Sequence, residues 1–63
     1  MAYRIEEQEI IVNKSKVVLS CDSKSDITDN MQVEGRDLIP FSIAYTKTLD
    51  VGILGSDGVW VWN

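Results

Sequence analysis

Val, Ile and Thr account for 17 of the 63 residues, whereas Ala and Leu together account for six. β-Branched side chains lose rotamer freedom in a helix and fit the pleated surface of a sheet. The chain is therefore expected to be mainly β. With 63 residues it is expected to form one small domain, residues 1–63. A chain of this size buries only about 60% of the surface that its unfolded form exposes. Its single core supplies about 3–5 kcal/mol, so a partner or self-association would add useful stability.

Charge and residue usage then narrow the function. Six Lys/Arg against ten Asp/Glu give a net charge of −4. That argues against nucleic acid or an anionic membrane surface as partner, because phosphate binding is driven by clustered Lys and Arg. No apolar run approaches the roughly 20 residues of a membrane span. The opening residues, Met1 to Glu9, have no apolar signal-type region, so no signal peptide is expected. The one cysteine, Cys21, excludes an internal disulfide framework and permits a reducing compartment. There is no histidine, which removes His-based triads, general bases and zinc sites. Cys21, following an apolar run and lacking a His partner, reads as a structural thiol.

The carboxylates also read as structural. Glu6, Glu7 and Glu9 form a solvated face rather than a metal cluster. Asp22, Asp26 and Asp29 invite a calcium-loop reading, but such a loop starting at Asp22 needs Gly where the chain has Ile27 and Glu where it has Val33. Helix capping accounts better for Asp26 and Asp29. Gly52, Gly55 and Gly58 follow a hairpin pattern, not a phosphate loop. So short a chain has little room for a water-excluding pocket. No catalytic, metal or cofactor residue is assigned, and an enzyme is not expected.

Along the chain, residues 3–12 are ambiguous: Tyr3 and Ile5 alternate as in a strand, while Glu6 to Glu9 favour a helix. Ile10 to Val12 and Val17 to Leu19 suggest a hairpin across the polar break Asn13 to Lys16, with one long strand over 9–21 as the rival. Ser23 and Asp26 resemble a capping box and predict a short helical turn over 24–28, anchored by Ile27. Residues 29–40 are expected to be irregular, with a turn at Gly35 and Pro40 at a strand start or edge. Residues 41–62 read as a three-stranded meander with turns at Thr48 to Asp50 and at Gly55 to Gly58. Phe41, Ile43 and Tyr45 share one face of its first strand; Ser42, Ala44 and Thr46 share the other. A two-residue loop at Asp57-Gly58 would set Leu54 opposite Val61; a three-residue loop with left-handed Gly58 would set Leu54 opposite Trp60. Trp60 and Trp62 fall on one face of the last strand. They either pack on the meander itself or lie in a protein contact, where Trp is enriched. Trp60, Trp62, Tyr45 and Phe41 are the candidate partner-binding residues.

The stretch Ile39-Pro40-Phe41-Ser42-Ile43-Ala44-Tyr45-Thr46, then Leu49, then Asp57-Gly58-Val59-Trp60, resembles the ending of many small proteins from tailed-bacteriophage structural gene clusters. Those endings run approximately P-hydrophobic-G-S-x-A-Y-T, a short gap, L, a short strand, D-G-x-W. Cys21-Asp22-Ser23-Lys24-Ser25-Asp26-Ile27 is similar to their C-D-S-K-x-D-L stretch. The resemblance covers about residues 17–62. It implies a virion-associated or head/tail-morphogenesis protein, made in the host cytoplasm and carried in the virion. It implies as partner a second copy or a larger virion protein, and brings no catalytic residues. Phe41 stands where those proteins usually have Gly, so the turn entering that strand is expected to differ. The expected mechanism is β-edge pairing plus aromatic packing. The rival is a phage-encoded acidic inhibitor of a host defence enzyme, presenting carboxylates to a basic groove.

Overall fold

The computed structural model describes residues 3–63; Met1 and Ala2, the start of the expected domain, lie outside the described residues. Seven strands form one curled sheet: β1 (Tyr3–Ile11), β2 (Lys14–Cys21), β3 (Gln32–Val33), β4 (Arg36–Leu38), β5 (Ile43–Thr46), β6 (Val51–Leu54) and β7 (Trp60–Trp62). Among the described residues one 3-10 turn is present, at Lys24–Asp26. The mainly β character follows from the β-branched composition, but the sheet is mixed rather than an antiparallel meander throughout. β2 is its spine. β1 lies antiparallel along one edge of β2, while β4 and then β5 lie parallel along the other. From there the sheet continues outward through β6 and β7, both antiparallel, so residues 41–62 do form the expected meander.

The N-terminal hairpin forms, and residues 3–11 are strand despite their glutamates, because β1 pairs with β2 along its whole length. A bulge between Ile5 and Glu7 interrupts this ladder. The turn lies at Val12-Asn13, not over 13–16. Lys14 pairs with Ile11 and Asp37, and the Ser15 carbonyl accepts the Ile39 N–H at 2.8 Å. Those backbone partners outweigh the polar composition that marked the segment as a break.

The chain then crosses the inner face of the sheet. Asp26 Oδ2 accepts the Ser23 N–H at 3.1 Å, and Ile27 anchors the short turn at 6% exposure. Residues 29–40 are more ordered than expected. β3 and β4 make a small hairpin whose two-residue turn, Glu34-Gly35, has φ of +52° and +78°. Positive φ at both positions is the primed geometry that suits the twist of a hairpin. Val33 is fully buried, and Met31 and Leu38 pack against the core. Pro40 sits in a turn between β4 and β5, not at a strand start.

The core joins Val17, Leu19 and Cys21 of β2 to Ile27, Val33, Ala44, Leu54 and Trp60. The inner row of β5 is small: Ser42 and Ala44 are fully buried and Thr46 nearly so. This row lets larger side chains from neighbouring elements meet across it. Its hydroxyls are satisfied. Ser42 Oγ accepts the Val17 N–H at 3.2 Å and donates to the Ile39 carbonyl at 2.7 Å, where β2 changes partner from β4 to β5. Thr46 Oγ1 accepts the N–H groups of Thr48 and Asp50 at 3.3 and 3.1 Å. The C-terminal hairpin takes the three-residue loop: Leu54 faces Trp60, and Gly58 has φ of +82°.

Candidate protein-binding face

Because successive strand residues point to opposite faces, the buried Ala44 and Thr46 of β5 send Ile43 and Tyr45 outward, and Phe41, in the turn before β5, lines a groove with Val18 and Ile43 of that face. The larger, more apolar row of β5 is thus the outer one. Phe41 is 71% exposed, Ile43 is at the edge of exposure, and Tyr45 is half-buried. The sheet register extends this row sideways: Val18 pairs with Ile43, Ile43 with Ile53, and Ile53 with Val61. Tyr45 pairs with Val51 one step along. Val61 is 66% exposed and Ile53 44%. None of the outward residues of β5, β6 and β7 carries a charge. Charges begin at the border, where Glu7, Glu9 and Lys16 line a groove of about 250 Å³ together with Phe41, Val18 and Ile43. Scattered surface hydrophobics are ordinary, but a contiguous uncharged row across four strands is the kind of patch that marks an interaction site.

Phe41 adds a second observation. The Ile39 carbonyl accepts the Ser42 N–H at 3.2 Å, enclosing Pro40 and Phe41 in a turn, and Phe41 has φ of +73°. Proline followed by a left-handed residue is the pattern of a type II turn, whose left-handed place is normally glycine. A bulky side chain there is a genuine outlier. Phe41 itself adopts the left-handed backbone that glycine adopts freely. Strained positions cluster at functional sites. This one exposes its ring, so core packing does not account for it.

The tryptophans lie on the opposite, inner face. Trp60 is 6% exposed; its Nε1 donates to the Thr28 carbonyl and its backbone N–H to Asp29 Oδ1, both at 3.0 Å. As a contact residue Trp60 is therefore corrected: it is core, with its indole N–H satisfied internally. Trp62 is half-buried, 6.4 Å from Trp60 between ring centroids, and lies flat on Gly52. A Cβ on Gly52 would come within 2.9 Å of that ring. Lys24 Nζ lies 5.8 Å from the Trp62 centroid. The edge of β7 is also partly closed, since Asp29 holds the Trp60 N–H and the Gly58 carbonyl accepts the Asn30 N–H at 2.9 Å. Of the other edge strands, β3 has only two residues, and β1 carries a bulge and three glutamates; short, bulged and charged edges are common guards against strand addition.

Of the four candidate residues, the structure groups Phe41 and Tyr45 on the outer face and sets Trp60 and Trp62 apart from them. Ile43, Ile53 and Val61 were not among the candidates. They follow once Leu54 is set opposite Trp60, because that register turns Leu54, Trp60 and Trp62 inward and Ile53 and Val61 outward. Cys21 is buried, and its Sγ donates to the Tyr45 carbonyl at 3.4 Å. Burial, then the nearby Asp26 and Asp22 carboxylates, raise its thiol above the ordinary value. It is a poor nucleophile in this setting. Among the described residues no three His, Cys, Asp or Glu side chains converge on a metal site. No protein-family model, curated protein or solved structure matches the chain.

Proposed function

We propose that this chain is a small protein-binding component of a tailed-phage particle, in its capsid or tail, acting through the outer face of β2, β5, β6 and β7. The observation that carries the binding part is the uncharged row Val18, Ile43, Ile53 and Val61, with Phe41 held beside it on left-handed backbone. A sheet with an apolar face buries that face against another layer, and among the described residues a covering segment lies only on the inner side. The resemblance of residues 17–62 to proteins of phage structural gene clusters supports the particle assignment. The working mechanism is face packing rather than addition of a strand at an edge, because β1 is bulged and charged and β7 is capped at Trp60.

The test is location. Purified particles carrying the natural gene are expected to contain this chain at a fixed copy number, and particles made with Ile53→Lys are expected to lack it. Particles without the chain would overturn the assignment. Full incorporation of Ile53→Lys would overturn the role of the face.

A further inference from the structure

We draw no further inference here: the strongest candidate, the groove between β1 and Phe41 at the border of the apolar outer face, belongs to the site already described, and nothing in the structure shows what covers it, because its rim sets Lys16 beside Glu7 and Glu9 and so selects no partner charge.

Discussion

Phe41 combines two properties that oppose each other in a small domain: a left-handed backbone and a ring left 71% exposed. The left-handed conformation costs a residue with a Cβ about 1–2 kcal/mol. Glycine removes that cost but makes the unfolded chain freer by about 0.4–1 kcal/mol. So little of the ring is buried that its loss adds little. Phe41→Gly is therefore expected to leave the chain as stable, or up to about 1 kcal/mol more stable, in urea unfolding. A clear loss of stability would mean that the ring supports the fold. The alternation over 41–46 was legible in the sequence, but the identity of the buried row was not. Ser42 and Thr46 go inward because their hydroxyls meet N–H groups of Val17, Thr48 and Asp50. Nothing in the local pattern announces partners supplied by β2 and by the following loop. The inward turn of Trp60 has the same kind of cause, since its N–H partners, the Thr28 carbonyl and Asp29, lie about thirty residues earlier.

The meander's two hairpins use one loop type with different residues at its left-handed place. Gly58 has φ of +82° in the second, and Leu49 has φ of +68° in the first, where the Thr46 carbonyl accepts the Leu49 N–H at 2.9 Å. Leu49 is 81% exposed, so Leu49→Gly is expected to be neutral or to stabilise by up to about 1 kcal/mol. Gly58→Val is expected to cost about 2 kcal/mol or more, because a β-branched residue is strained there and its Cβ would meet the Asn30 side chain. Thermal melts of the two variants check both signs; a Gly58→Val melt equal to the wild type would remove the turn assignment. Asp57-Gly58 was the strongest turn signal in the chain and was placed correctly. The turn at Val12-Asn13 was not legible, because Val12 takes φ of +59° where a β-branched residue is least expected. The parallel pairing of β2 with β4 and β5 was hidden as well. Residues 22–40 read as a polar cap and an irregular connection, so nothing local indicates that they return the chain beside β2.

At the scale of the molecule, one curled sheet carries two apolar faces. The inner face is closed by residues 22–33 and by Trp60; among the described residues nothing covers the outer one across β5, β6 and β7. The fold class, the short helical turn, found at Lys24–Asp26 within the expected 24–28, and the C-terminal meander were legible because they rest on local propensity, capping and turn chemistry. Which face stays open was not, because it depends on the three-residue loop at Gly58 and on the packing of the crossover segment. The most direct test of the outer face as the binding surface is a cross-saturation measurement on the isotope-labelled chain mixed with particles that lack it. The account predicts that the methyl signals of Ile43, Ile53 and Val61 lose intensity when the particle is irradiated, while the Trp60 indole N–H, bonded to the Thr28 carbonyl, keeps its intensity. Losses centred on the Trp60 and Trp62 indoles with the outer methyls unchanged, or no loss at any of them, would contradict it.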